Sequence, residues 1–379
     1  MHEQAQARAS RIVEDLVSSS KELGIQIAAY LDGELVVDAW GGLADASTGR
    51  PMTPDTLCHA FSAGKVATAT IVHMLADRKL LRYSDPVALH WPAFAAHGKE
   101  RVTVAHVLTH TAGVPYFPEG IVEGDLGDWD AVCARIADLA PQWPPGAQAG
   151  YHGLTFGYIL GEVVRRVTGR PIEQWLRTEL AGPLGIPDDL FFGVPDAHAG
   201  RLAMLDDAEF QSAMSRVPAD APFRRVAPAV LAPRADFATK GCLRRAIVPS
   251  GIVMTARAGA RLMALWAGRG TLDGMALLSQ GRVDEAIRIR VAGVDAITGS
   301  PSAKALGFVV GETPMAGPAA FGMRGAGGSL VFADCGTRFA FALTKNRMDV
   351  SPWDSGSAAV LAAEICSALE LGQGRGAGA

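Results

Sequence analysis

The sequence predicts a mixed α+β protein, one mixed sheet built from the two ends of the chain together with a mostly helical insert. Three observations point there. Short β-type runs gather near both ends of the chain, helical segments fill its middle, and 379 residues exceed one small core and suit two packed lobes. We therefore expect residues 1-61 and 245-370 to form the sheet-bearing lobe, residues 62-244 the helical lobe, and residues 371-379 a disordered Gly-rich tail. A crevice between lobes is the natural place for a site.

Taken in order, residues 4–22 put Ala5, Ala9, Ile12 and Leu16 at helical spacing and stop before Gly24. Two β-type runs, GIQIAAYL and GELVVDAW, then meet at Asp32-Gly33, a hairpin signal between apolar runs. A short third run, LCHAF, leads into Ser62. From Lys65 to Leu81 the chain is apolar, rich in helix formers and free of proline, so it reads as a buried helix of about five turns. Helical segments at 103–109, 154–167 and 172–180 follow, separated by loops such as WPPGA and GPLGIP. The stretch 196–240 is loop-rich and receives no element. Strand character returns in ALGFVVGE, GSLVFAD and TRFAFALT, and an Ala-rich helix at 356–370 closes the pattern.

Composition removes several function classes. Apolar residues make up 49% and charged residues 20%, a globular rather than a disordered balance. The net charge of −4 offers no nucleic-acid surface, and Arg224-Arg225 and Arg244-Arg245 are too short to make a basic patch. No stretch approaches the roughly 18 apolar residues that span a bilayer. The first twenty residues lack an apolar signal core and a small-residue cleavage site. Five widely spaced cysteines form no CxxC pair and read as buried small hydrophobes. A cytoplasmic protein without a membrane or nucleic-acid partner is expected.

Ser62-Ala63-Gly64-Lys65 is an S-x-x-K pattern. At i and i+3 on a helix the two side chains share a face, and a lysine kept neutral by burial can take the serine proton. A helix N-terminus at Ser62 adds partial positive charge near the developing anion. The same pattern at Ser18 and Lys21 lies near the end of a polar helix and receives no role. Ser62 instead opens the most apolar helix of the chain. Lys65 there is either a catalytic base or a snorkelling surface residue.

FSAGK before an apolar helix, and VLTHTAGVP at 107–115, resemble the penicillin-recognising serine enzymes, which comprise serine β-lactamases, DD-peptidases and related esterases. PPGAQAGYHGLTFGYILGEVVRRVTGRPI at 144–172 resembles the segment with that family's catalytic tyrosine. AFGMRGAGGSLVFAD at 320–334 resembles its third motif, on the strand that edges the active site. The resemblance runs from about residue 10 to 370 and is nearest to the class C-like esterases called family VIII carboxylesterases. It implies an acyl-enzyme on Ser62, with Lys65 and Tyr151 sharing the proton, and Tyr151 as tyrosinate or relay. The N–H groups of Ser62 and Ala326 would form the oxyanion hole. It implies no metal and no organic cofactor, and a small-molecule ester or amide as substrate.

The third motif departs from the pattern. Where β-lactamases and DD-peptidases carry Lys-Thr-Gly, this chain has Met323-Arg324-Gly325, and Gly153 stands where lactamases place an amide-bearing Asn. Both changes remove groups that would hold a β-lactam, so its hydrolysis is not the expected main activity. Arg324 either pairs with an anionic substrate group or points outward; the outward, solvated placement is favoured. Gly325, Gly327 and Gly328 let backbone approach substrate closely, yet the run does not follow G-x-G-x-x-G spacing. His152 either lines the pocket or hydrogen-bonds a carbonyl. His106 and His110 stand i, i+4 without the glutamate of H-E-x-x-H, and His110 is expected to brace its loop. Trp91, Trp143 and Trp353 are cleft-lining or core. The absence of G-x-S-x-G argues against an α/β-hydrolase. Ester hydrolysis is the leading reading. Acyl transfer to an alcohol or amine is the alternative, and a binding protein without chemistry is the reading from another class.

Overall fold

A computed structural model describes residues 1–227, 229–312, 315, 317–350 and 355–371. Its main sheet comprises, in chain order, β1 (Gly24–Leu31), β2 (Glu34–Asp45), β3 (Arg50–Pro51), β4 (Val291–Val294), β5 (Pro301–Lys304), β6 (Val309–Val310), β7 (Phe321–Arg324), β8 (Leu330–Asp334) and β9 (Phe339–Lys345). Their spatial order is β3-β2-β1-β9-β8-β7-β6-β5-β4, with every pair antiparallel. The two ends of the chain meet at its centre, where Ile25 pairs with Lys345 and Leu31 with Phe339. The β1–β2 hairpin turns at Asp32 and Gly33, both at positive φ, the geometry that Asp-Gly selects.

The sheet is covered on both faces, which is why all eight residues of β1 are buried. Helices α1 (His2–Ser18) and, at the far end of the chain, Ser357–Ala368 cover one face. Ala9, Val13, Leu361 and Ile365 pack there on Ile25, Ile27, Phe332 and Phe341. Helix Ala256–Ala267 packs on the opposite face against β1, β9 and β8. Each odd step along β1 therefore serves one layer and each even step the other.

Helix α2 (Lys65–Asp77) runs through the core, buried at every position from Lys65 to Ala76. It ends earlier than the expected Leu81, because Lys79 adopts φ 59° and turns the chain without a glycine or proline to announce it. Helix α3 (Thr155–Thr168) packs on α2 and stops at Gly169, left-handed at φ 70°. The unassigned stretch 196–240 holds the short helices Ala208–Arg216 and Pro222–Val226. The first buries none of its residues, so no apolar stripe marked it. Of the expected tail, residues 372–379 lie outside the described residues, as does Trp353. Trp91 is a core residue.

Candidate active site

The short strand Cys58–His59, paired with Val253–Met254, delivers the chain to Ser62. Phe61 just before it sits at φ 46°, a strained conformation for a bulky residue. A 3₁₀ turn, Phe61–Gly64, then feeds α2, so Ser62 lies on the turn entering that helix rather than within it. Gly64 is needed there, since a Cβ would fall 2.5 Å from the carbonyl of Gly251.

Lys65 is fully buried one turn behind Ser62. Its Nζ donates to Ser62 Oγ at 3.1 Å, to Tyr151 Oη at 2.9 Å and to the Ser250 carbonyl at 3.3 Å. The Tyr151 hydroxyl donates to Ser62 Oγ at 2.6 Å, closing a triangle of three polar side-chain atoms. The alternative of a snorkelling surface lysine is excluded by this burial. Loss of hydration pushes the Lys65 pKa below its ordinary value, partly opposed by Tyr151. Burial thus favours the neutral amine that proton abstraction needs.

Tyr151 stands in a loop and is held from two sides. Its N–H donates to Asp295 Oδ1 at 3.0 Å, and its ring lies against His110 with centroids 5.3 Å apart. Of the two placements open for His152, the structure has the one that hydrogen-bonds a carbonyl. Its ring is fully buried, and Nε2 accepts the Val114 N–H at 3.0 Å. Nδ1 therefore carries the proton and donates to the Gly150 carbonyl at 2.6 Å. His152 N–H in turn donates to His110 Nδ1 at 3.1 Å, which gives His110 the bracing role expected of it. Burial lowers the His152 pKa to about 4 and keeps the ring neutral.

The end of β7 faces the same turn. A Cβ on Gly325 would stand 1.9 Å from the Ala60 carbonyl, so only glycine lets this strand end dock beside Ser62. Met323, Arg324, Gly325, Ala326, Gly327 and Gly328 line one cleft with Ser62 and Tyr151. The solvated placement favoured for Arg324 does not hold. Its side chain, 29% exposed, pairs with Glu312 Oε2 at 2.7 Å inside the cleft, because β6 runs beside β7 and brings that carboxylate alongside.

The cleft measures about 760 Å³. Phe210, Met214, Phe223, Leu231, Phe237 and Val248 make its long wall apolar. His59 stacks there on Phe61 at 5.8 Å and lies tilted against Phe237 at 5.7 Å. Three polar residues escaped the sequence reading. Ser250 accepts from Gly157 N–H and donates to the Leu154 carbonyl, both at 2.8 Å, while its own carbonyl holds Lys65. Asp295 and Lys304 form a buried ion pair at 3.0 Å. A lone Ser or Asp carries no local signature that would mark it for a site. Among the described residues no group of three His, Cys, Asp or Glu side chains is placed to hold a metal. His106 instead caps its own helix through Thr103.

Residues 9–364 match the family described as Beta-lactamase. The esterase/beta-lactamase LipL of Mycobacterium tuberculosis is 36% identical over 343 residues, covering 86% of this chain and 77% of that protein. The crystal structure of a family VIII carboxylesterase superposes with a TM-score of 0.85 at 33% identity, covering 96% of this chain and 97% of the other. A penicillin-binding protein homolog from Caulobacter crescentus gives the same four values.

Proposed function

The chain belongs to the beta-lactamase family and is a serine hydrolase of the ester-cleaving kind, and from that premise we propose that Ser62 is its nucleophile, with Lys65 and Tyr151 sharing the proton. The observation that carries this reading is the triangle of Ser62 Oγ, Lys65 Nζ and Tyr151 Oη, closed at 2.6 to 3.1 Å around a buried lysine.

Ser62 Oγ attacks the ester carbonyl while its proton passes to neutral Lys65, directly or through the Tyr151 hydroxyl. The N–H groups of Ser62 and Ala326 receive the oxyanion, each worth about a hundred- to thousand-fold in rate. Collapse expels the alkoxide, which takes the proton back from the same pair. Water then attacks the acyl-enzyme, gives up its proton along the same path, and frees the acid.

The apolar wall favours an ester whose acyl or alkyl part is hydrophobic. Met323 and Gly153 leave the cleft without the motif lysine and amide that would grip a β-lactam, which supports ester rather than lactam cleavage as the main activity. The cleft draws on residues of both 62-244 and 245-370, as a site between a helical and a sheet-bearing lobe would. Among the described residues no helix is long and apolar enough to cross a membrane. All five cysteines are free thiols, which supports a reducing, cytoplasmic setting. The net charge of −4 supports a small-molecule rather than a nucleic-acid partner.

The deciding experiment measures p-nitrophenol release from a short-chain aryl ester by wild type and Ser62→Ala. A loss of at least about 10³-fold in kcat is expected for the variant. Equal turnover by both proteins would remove Ser62 from the reaction.

A further inference from the structure

A line of polar contacts runs along the cleft from Tyr151 to the third motif. Asp295 Oδ1 accepts three backbone N–H groups, from Tyr151, Ile297 and Thr298, each at 3.0 Å. Its other oxygen pairs with Lys304 Nζ at 3.0 Å. Lys304 Nζ also donates to Ser302 Oγ at 2.9 Å, and Ser302 Oγ donates to Glu312 Oε1 at 2.6 Å. Glu312 completes the line at Arg324. The ion pair is almost wholly buried, with side chains 5% and 2% exposed, and both partners border the cleft. Burial alone would raise the Asp295 pKa. Lys304 and the N–H groups outweigh it and hold the carboxylate below its ordinary value.

Tyr151 needs such a hold. It belongs to no helix or strand, yet its hydroxyl must stay at 2.6 Å from Ser62 Oγ. Misplacing a reacting group by about 1 Å costs about a hundredfold in rate. A carboxylate that accepts three amides and is itself pinned by a buried cation has little freedom to move. We propose that Asp295 is a positioning residue for Tyr151, that Lys304 is the counter-ion fixing Asp295, and that this pair joins the tyrosine loop to the strand bearing Met323 and Arg324. The inference rests on the assignment of Tyr151 to proton transfer.

The test compares Asp295→Ala/Lys304→Met with Asp295→Asn/Lys304→Met, so that neither variant leaves a buried charge unpaired. Asn keeps the acceptor for the Tyr151 amide; Ala removes it. With p-nitrophenyl acetate, the Ala double variant should lose about 10- to 100-fold in kcat with KM changed less than about threefold. The Asn double variant should recover most of that loss, while circular dichroism and melting curves verify that both are folded. A kcat within about twofold of wild type for the Ala variant, or no recovery with Asn, overturns the proposal. Tyr151→Phe is measured in parallel and should be strongly impaired. Wild-type turnover by Tyr151→Phe would show that the reading of the tyrosine had failed. Impaired Tyr151→Phe beside an active Ala double variant would sink the positioning role alone.

Discussion

Lys65 is where burial becomes chemistry. Its hydrogen-bond partners are two hydroxyls and a carbonyl, and the lost hydration outweighs the opposing pull of Tyr151. In the proposed mechanism the neutral amine is the active form, so kcat/KM should rise with pH as Lys65 deprotonates. The lowered pKa places that rise below the ordinary lysine value of 10.5. A pH–rate profile that climbs only above that value would refute the assignment. Lys65→Arg, which keeps the charge but cannot release a proton near neutrality, should cost about 10³-fold or more in kcat at every pH. The residues of this triangle were readable because S-x-x-K and the phrase around Tyr151 are local patterns. Ser250 and Asp295 were not, since their partners Lys65 and Tyr151 lie 185 and 144 positions away in sequence. Arg324 was misjudged for a related reason. A charge in a glycine-rich run reads as solvated until a neighbouring strand sets Glu312 beside it.

Among the elements, the docking of the β7 end onto the turn bearing Ser62 decides whether the proposed oxyanion donors face Ser62. Gly325 leaves no space for a methyl group against the Ala60 carbonyl. Gly325→Ala should push the strand end away and lower kcat by about a hundredfold or more, the cost of one lost oxyanion donor. A well-folded Gly325→Ala variant with wild-type kcat would show that this approach is not needed for catalysis. The glycines were legible as a place of close backbone approach, but the surface they approach was not. Helix limits show the same division. The expected helix from Lys65 was right in its start and burial, while its end was set by Lys79 turning left-handed.

At the scale of the molecule, buried neutral histidines link stability to pH. Burial pushes His73 down to about 3 and His152 to about 4, and His110 well below its ordinary value. In the unfolded chain each titrates near 6.5. Between that value and about 4 the unfolded state binds more protons, so stability is full above about 6.5 and falls as pH drops. The slope approaches about 1.4 kcal/mol per pH unit for each such histidine. Melting temperatures taken from pH 7 to 4.5 should fall steadily, and a flat profile would mean that these rings protonate freely in the fold.

By itself the sequence determined the fold class, the hairpin at Asp32-Gly33, the helix that follows Ser62, and the candidate trio of Ser62, Lys65 and Tyr151. The hairpin, the helix and the Ser62–Lys65 spacing are written in short-range periodicity, turn chemistry and local motif spacing, which act between neighbours along the chain, while Tyr151 came from the resemblance of 144–172 to the penicillin-recognising serine enzymes. Only the tertiary structure decided that both chain ends share the centre of one sheet and that His152 lies buried on the Gly150 carbonyl. It alone paired Arg324 with Glu312 and gave Tyr151 an acidic anchor. Those outcomes depend on which distant groups share a desolvated space, where an unpartnered charge or amide is costly and so each finds its complement across the fold.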